Sequence, residues 1–313
     1  MLYQVITIGS ALVDVFVHTD KFELMDTPKG VHLCQLHGSK TDVEDFNVYT
    51  GGGGSNTAVG FSRLGLKTSV ICETGRDNFS YLVLKDLKDN GVDTNLVISE
   101  KMEKTGGSVI LTCEKGERSV LVHRGASAKL DSYDISAYWL SQTELVHLSS
   151  IGGNQNTLEK IFLSIKRSDS TKLSWNPGKG ELLMLAEERL LIKDISCEVF
   201  IVNTEEWQMI VDVQNQILNN FPYVVVTSGK NGGDVYYQAQ QIFHFPALSS
   251  GVVDSTGAGD SFSVGFVAGL YWGKTPQEAA VLGAKNAASV VNNYGAKTGL
   301  LSKEKILEEI KLF

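Results

Sequence analysis

Proline and cysteine are scarce in this chain, at 5 and 4 residues out of 313. The cysteines, Cys34, Cys72, Cys113 and Cys197, are scattered and form no CxxC pair. That spacing argues against a structural zinc site and for reduced, mostly buried thiols. Long apolar runs are missing too: nothing approaches the ~20 consecutive apolar residues of a membrane span. The segment Met1–Phe16 has no Lys or Arg, so it lacks the basic start of a secretory signal. Basic charge is in deficit: 28 Lys and Arg against 36 Asp and Glu give a net charge of −8. A general nucleic-acid binder needs a basic face to displace counterions, so that class is disfavoured. Small anionic ligands stay open, because a local pocket can be positive in an acidic protein. Together these absences predict a cytoplasmic protein that contacts neither membrane nor nucleic acid.

What the chain has in quantity is glycine, 31 residues clustered where apolar runs end. Tyr3–Ile8, Ser69–Thr74, Val199–Val202 and Tyr223–Thr227 read as short buried strands rich in β-branched residues. Thr57–Leu64, Phe79–Asn90, Thr157–Lys166 and Glu205–Val211 read as helices between them. Strands alternating with helices predict an α/β fold with a mostly parallel central sheet and helices on both faces. Val31–Leu36 and Asp45–Thr50 are strand-like with no helix between them, and Ser108–Cys113 and Arg118–His123 flank Gly116 as a hairpin. These pieces predict a small β-sheet appendage built from residues 12–50 and 104–124, beside a core of 1–11, 51–103 and 125–313. The C-terminal third reads helical from Ser261 to Asn293 and from Lys303 to Leu312.

Three glycine-rich stretches invite a phosphate-binding reading. Gly273-Lys274-Thr275 lacks the spacing of a phosphate loop, since Ala268 stands where the first glycine is needed. Local chemistry explains it better: Gly273 ends one helix, and Thr275-Pro276-Gln277-Glu278 opens the next as a capping box. The run Gly51-Gly52-Gly53-Gly54-Ser55-Asn56 suits close approach of a ligand to the main chain, with Asn56 binding hydroxyl groups or simply capping a helix. Asp254-Ser255-Thr256-Gly257-Ala258-Gly259-Asp260 precedes Phe262, Phe266 and Leu270 at helical spacing. Its Gly-Ala-Gly turn therefore opens a helix, where free amides and the dipole attract a phosphate. A carboxylate at Asp260 would repel that phosphate, which points to a chemical role as proton acceptor for an attacking hydroxyl, with a plain N-cap as the alternative.

The two motifs together resemble the PfkB/ribokinase family of small-molecule kinases. Gly51–Leu66 (GGGGSNTAVGFSRLGL) resembles the family's N-terminal signature and Asp254–Gly269 (DSTGAGDSFSVGFVAG) its C-terminal one. The resemblance implies a ribokinase-like fold, a large three-layer α/β domain with a β-sheet lid. It implies a carbohydrate kinase that transfers the γ-phosphate of ATP, with Mg²⁺, to a sugar or nucleoside hydroxyl. Asp260 would be the base and Gly257, Ala258 and Gly259 the anion hole. Asp14, Gly52, Gly53 and Asn56 would hold substrate, and Arg124 could reach a substrate oxygen. Asn203, Thr227, Ser228, Gly229 and Gly232 would lie along the nucleotide, with Asn286 near the adenine and Glu206 organising Mg²⁺ through water. Asp254, Thr256 and Gly295 match positions that bind a monovalent cation such as K⁺ in part of the family, with a structural role for Asp254 as the alternative. The resemblance also allows a homodimer through the lid.

Departures bear on the substrate. Ribokinases usually carry Lys where this chain has Gly53, Asn where it has Leu12, and a substrate-binding Glu near Leu148-Ser149-Ser150. No Arg follows Asn176 to clamp a carboxylate. The expectation is a sugar kinase acting on a neutral, polyol-like acceptor. A nucleoside kinase of the same fold is the alternative, stacking its base on Phe16, Phe46 or Leu121. A non-catalytic nucleotide-binding regulator would be expected to lose the base or the glycine turn, and both are intact. A dinucleotide oxidoreductase is disfavoured because no GxGxxG occurs.

Overall fold

Alternation of apolar residues decides which way each strand of the large sheet faces. In the computed structural model, which describes residues 2–99, 102–113, 118–248 and 251–308, the chain begins β1 (Tyr3–Ile8), β2 (Leu12–His18), β3 (Glu23–Thr27), β4 (Gly30–Cys34) and β5 (Asp45–Gly51). It continues through α1 (Gly53–Arg63), β6 (Thr68–Ile71), β7 (Glu73–Thr74), α2 (Asn78–Asp89), β8 (Ile98–Ser99), β9 (Gly106–Thr112) and β10 (Arg118–His123). Next come α3 (Ala137–Ser141), β11 (Thr143–Leu148), α4 (Gln155–Lys166), β12 (Lys172–Trp175), α5 (Lys179–Ala186), β13 (Val199–Asn203), α6 (Thr204–Met209) and α7 (Gln214–Asn220). The rest is β14 (Tyr223–Thr227), β15 (Gly233–Tyr237), β16 (Gln240–Phe245), α8 (Ala258–Tyr271), α9 (Pro276–Val291) and α10 (Lys303–Glu308).

The large sheet has the order β16-β15-β14-β13-β12-β11-β1-β6, parallel from β14 to β6 and antiparallel at β15 and β16. Ile6, Ile8, Val146 and Leu148 point to one face, where α4, α5 and α7 cover them with Ile161, Leu182 and Ile217. Val5, Leu145, Ile201 and Val225 point to the other, under Phe61 of α1, Phe266 of α8 and Leu282 of α9. The result is the α/β arrangement read from the sequence, with helices on both faces.

β2, β5, β9 and β10 form a separate four-stranded sheet in the order β10-β9-β2-β5. β3 and β4 pair only with each other, so Val31–Leu36 belongs to an isolated hairpin and not to this sheet. The loop at Glu114–Glu117 with Gly116, and the end of the C-terminal helix beyond Glu308, lie outside the described residues. Register sets the facing of the hairpin. Val120 pairs with Ile110 and Val122 with Ser108, so both share the face that carries Asp14, while Val109 and Leu111 lie opposite with Leu121.

Topology locates a crevice. From β1 the chain moves outward to β6, then returns to β11 and builds the sheet in the other direction. Where strand order reverses, the loops beyond the strand ends part and leave room for a ligand. Gly9 and Ser10 follow β1 there, and Ser149 and Ser150 follow β11. The helices α1 and α8 point their N-termini at the same place. Their approach depends on missing side chains: a Cβ on Gly60 would lie 2.9 Å from Val264 of α8. Gly265 plays the same part between α8 and α9, since a Cβ there would lie 2.7 Å from Leu282 O and 2.8 Å from Gly283 Cα. Both obstacles are backbone and cannot rotate away. Overpacking of a core costs about 1–3 kcal/mol and more where backbone blocks relaxation. Gly265→Val should therefore lower unfolding stability by at least about 2 kcal/mol in urea titration; an unchanged midpoint would contradict the close helix contact.

Candidate functional site

The glycine run is an architectural requirement before it is a ligand cradle. Gly52 caps α1 with φ +93°, and a Cβ on it would sit 2.5 Å from Ser10 O. A Cβ on Gly53 would meet Ser149 Cβ at 2.8 Å, and one on Gly54 would meet Gly9 C at 2.7 Å. On Gly51 it would collide with the Asp14 carboxylate. Each glycine is thus excluded from having a side chain by the protein itself. The first turn of α1 is then pinned to the end of β1: Gly53 N donates to Ser10 Oγ at 3.2 Å, Ser55 N to Ser10 O at 3.1 Å, and Thr7 Oγ1 to Gly54 O at 2.9 Å.

Asn56 lies inside α1 and not at its cap. Its Nδ2 donates to Asp260 Oδ2 at 2.8 Å, joining the first turns of α1 and α8. Asn56 thus serves the acidic residue directly. Among the described residues, its buried Oδ1 and the Ser149 Oγ have no hydrogen-bond partner. Asp260 is third in α8, so it is not the cap; Gly257 is, with φ +79°. Burial pushes the Asp260 carboxyl above its ordinary range, while the Asn56 amide and the Lys297 charge pull it back. With Oδ2 held by Asn56, Oδ1 faces the crevice beside Gly53.

Gly257, Ala258 and Gly259 stand where the sequence puts them, at the start of a 14-residue helix. Its first-turn amides have no acceptor within the helix, although Ala258 N is spent on Ser255 O at 3.3 Å. A side chain at Gly257 would lie 2.5 Å from Ala296 Cβ, so the turn is glycine for packing as well as for φ. The Gly273 and Thr275 readings hold: Gly273 has φ +74°, and Thr275 and Glu278 form a capping box.

Asp14 is buried on the inner face of the small sheet and accepts a hydrogen bond from Ser108 Oγ. Burial raises its carboxyl; Ser108 and Lys297 oppose that rise, and the Asp254 charge adds to it. A cavity of about 330 Å³ is lined by Ser10, Leu12, Arg124, Ser127, Ser150 and Asn154, among others; of the expected substrate residues Arg124 is in this lining and Asp14, Gly52, Gly53 and Asn56 are not. The loop at its floor is shaped by Glu181, fully buried, whose carboxylate accepts from Ile151 N at 2.7 Å and Gly153 N at 3.2 Å. Asn176, by contrast, is structural, donating to Ile201 O at 2.7 Å.

A second cavity, about 290 Å³, opens beyond α8. Thr227, Gly229, Lys230 and Gly232 line one side, and Phe245, Ala258, Gly259, Phe262 and Ala287 others. Ser228 is outside its lining, tied in the turn by Ser228 N to Gly232 O at 2.7 Å. Asn286 is also elsewhere: it is fully buried, donates to Ser261 O at 2.8 Å and accepts from Leu301 N at 3.1 Å. It cross-ties α8 to α9 and the chain beyond, so the exposed alternative does not hold; its neighbours Ala287 and Ala288 line the cavity, and its own side chain does not. Asn203 and Glu206 form a capping box on α6 at the neighbouring strand end. Burial raises the Glu206 carboxyl against the opposing Asn203 N–H, and the Asp260 charge adds to the rise.

Asp254 is engaged by protein donors. Oδ1 accepts from Thr256 N at 2.9 Å, Thr256 Oγ1 at 2.6 Å and Arg118 Nη1 at 3.2 Å, and Oδ2 accepts from Gly295 N at 3.0 Å. A carboxylate so occupied and facing a guanidinium does not fit a monovalent cation; the structural role is the one observed. Sequence reasoning missed Arg118, which reaches from β10 to Asp254 and to Thr256 Oγ1 at 2.9 Å. It also missed Ser108, Ser149 and Glu181, ordinary residue types with no local pattern. Among the described residues, no group of three or more His, Cys, Asp or Glu is arranged to hold a metal ion, and no helix is long and apolar enough to cross a membrane.

Residues 4–303 match the model of the pfkB family carbohydrate kinases. The chain is 25% identical to a 5-dehydro-2-deoxygluconokinase of Geobacillus thermodenitrificans, covering 88% of each chain. It superimposes on Methanocaldococcus jannaschii nucleoside kinase, an archaeal member of the ribokinase family, with a TM-score of 0.79 over 99% of both chains at 24% identity. Arabidopsis thaliana ribokinase complexed with ribose and ATP gives a TM-score of 0.77 over 99% of both chains at 20% identity.

The Asn56–Asp260 bond has a measurable consequence. The amide donor favours the ionised carboxylate, so Asn56→Ala should raise the pKa of Asp260 further. Carboxyl carbon NMR titration of the two proteins reads this; an unchanged or lowered value would dissociate the two residues.

Proposed function

The chain belongs to the pfkB family of carbohydrate kinases, phosphotransferases with an alcohol group as acceptor, and from that membership we propose that it moves the γ-phosphate of ATP to a hydroxyl of a neutral sugar, with Asp260 as general base. The observation that carries the reading is the convergence of α1 and α8 at the strand-order reversal, with Asp260 clamped by Asn56 at 2.8 Å. Clamping one carboxylate oxygen leaves the other to accept the proton of the attacking hydroxyl. A carboxyl raised by burial is a stronger base than an exposed one, so the proton transfer is easier. The α8 N-terminus supplies amides and dipole for the transferring phosphate. Catalysis of this type is mostly positioning and charge stabilisation.

Acceptor hydroxyls would bind Asp14 and Ser108 on the inner face of the small sheet, beside Gly52 and Gly53, with Arg124 at the far end of the cavity. The apolar wall of the second cavity suits a purine ring, and Thr227, Gly229 and Gly232 suit the phosphate chain. Glu206 and Asn203, beside Asp260 at a strand end, would hold Mg²⁺ through water; the ion supplies charge neutralisation on the phosphates when bound. A nucleoside acceptor is the second reading, favoured by the apolar Phe16, Val120 and Val122 on the same inner face; Phe46 and Leu121, also expected to stack a base, lie on the outer face and cannot.

The small sheet would act as a lid that excludes water from the phosphate. Its outer face carries Val15, Val17, Val48, Leu111, Phe46 and Leu121, the last two 65% and 63% exposed. An apolar face on a thin sheet calls for cover, and we assign that cover to the lid of a second copy of this chain.

Three measurements test these assignments. Asp260→Asn should lower kcat by about 10²–10⁴-fold with ATP affinity retained, because an amide cannot accept the proton; near-native kcat would refute the base. Wild-type turnover over neutral sugars, sugar acids, sugar phosphates and nucleosides ranks the acceptors in the same assay. Preference for an acid would give Arg124 a carboxylate and overturn the neutral-sugar reading. Light scattering should give twice 34.1 kDa; a monomer mass at micromolar concentration would refute the dimer.

A further inference from the structure

Behind the glycine run lies a buried ammonium that the scheme above does not use. Lys297 is 6% exposed. Its Nζ donates to Thr50 Oγ1 at 2.9 Å, Ser55 Oγ at 2.6 Å and Asp86 Oδ2 at 2.8 Å. The acceptors come from three elements: Thr50 from β5, Ser55 from the first turn of α1, and Asp86 from α2. Thr50 Oγ1 also donates to Asp86 Oδ2 at 2.6 Å, so the three meet as one cluster.

Each neighbour of this cluster is a working part. Ser55 precedes Asn56, which clamps Asp260. Thr50 precedes Gly51, which packs on Asp14. Ala296, just before Lys297, is the residue against which Gly257 of the anion turn sits. Packing alone does not call for a lysine here. A buried ammonium must give up its hydration, and a methionine would fill the same space without that cost. The ammonium is in direct contact with one carboxylate, that of Asp86, and its charge also reaches Asp14 and Asp260, lowering both carboxyls against the rise that burial imposes.

We propose that Lys297 is a positioning residue for phosphoryl transfer: it locks the β5–α1 junction to α2, and so holds Asn56, and through it Asp260, on the acceptor hydroxyl. This rests on the reading of Asp260 as the base. Small displacements of a catalytic group are costly in rate, about 10²-fold for a misplacement near 1 Å.

The test uses two substitutions with different predictions. Lys297→Met keeps the chain volume and removes the ammonium; it should fold, keep KM for ATP within about twofold and lose about 10²-fold in kcat. Should the unpaired Asp86 prevent folding, Lys297→Met combined with Asp86→Asn removes that charge and carries the same expectation. Lys297→Ala opens a space that adjoins a cavity of about 490 Å³ lined by Thr50, Asp86 and Lys297 itself. Added ethylammonium should enter there and recover at least about tenfold of the lost kcat, as expected for a replaced hydrogen-bonding cation. Native kcat in the folded Met variant would overturn the proposal, as would a loss that no amine recovers. Asp260→Asn assayed alongside separates the two readings. A dead Asp260→Asn with a fully active Lys297→Met refutes only the role of Lys297, while an active Asp260→Asn refutes the base itself.

Discussion

The 2.8 Å contact between Asn56 Nδ2 and Asp260 Oδ2 can form only if two helix ends enter the same crevice. Much of the surrounding sequence follows from that constraint. α1 must start hard against β1, so Gly52, Gly53 and Gly54 carry no side chain where Ser10, Ser149 and Gly9 already stand. α8 must lie along α1, so Gly60 makes room for Val264. α8 must also be held at its far side, and Gly265, Gly269 and Gly283 let α9 close on it. Asn286, buried and bonded to Ser261 O, then fixes the α8–α9 pair from within. The helices are therefore not free to slide, and a donor and a carboxylate on different helices keep one geometry.

The small sheet is tied to this centre at both of its ends. Its strand β5 runs directly into Gly51 and α1, through Thr50 and the Lys297 cluster. Its strand β10 reaches the anion turn through Arg118, bonded to Asp254 and Thr256. Asp254 in turn accepts from Gly295 N, next to the Ala296 on which Gly257 packs. A displacement of this sheet would therefore be felt at the turn that opens α8. The Arg118 ion pair is half-exposed on the arginine side, and exposed pairs contribute about 0–1 kcal/mol. It sets orientation more than it adds stability.

Much of the fold was legible because its signals are periodic. Buried strands such as Tyr3–Ile8 and Tyr223–Thr227 read with the observed bounds, and the Thr275–Glu278 capping box was plain from four residues. The proposed site stands out in sequence only where chemistry departs from packing, as with an aspartate in the glycine-opened first turn of α8. Where a residue satisfies both a ligand and the protein, sequence does not separate them. The four glycines suit close approach of a ligand, and the packing of neighbouring backbone and side chains requires them as well. Asn56 suits hydroxyl groups or a helix cap; it is not the cap, and its amide nitrogen holds Asp260. Asn286 was set beside the nucleotide and is internal. Lys297, Arg118 and Ser108 carry no pattern at all, because their partners lie on other elements, as far as 247 residues away for Thr50 and Lys297.

The distribution of charge explains how a chain of net charge −8 can offer a place to an anion. Asp14, Asp254, Asp260 and Glu206 all border the crevice, and bare they would repel a phosphate. Each has at least one oxygen held by a protein donor, which offsets part of its charge: Asp14 by Ser108, Asp254 by Arg118 and two backbone amides, Asp260 by Asn56, Glu206 by Asn203 N. The buried Lys297 charge opposes the rise of the Asp14 and Asp260 carboxyls. What faces outward at the start of α8 is then the row of amides and the positive end of the helix dipole. Local sign is set by which groups turn inward, and the net charge of the chain has little say in it.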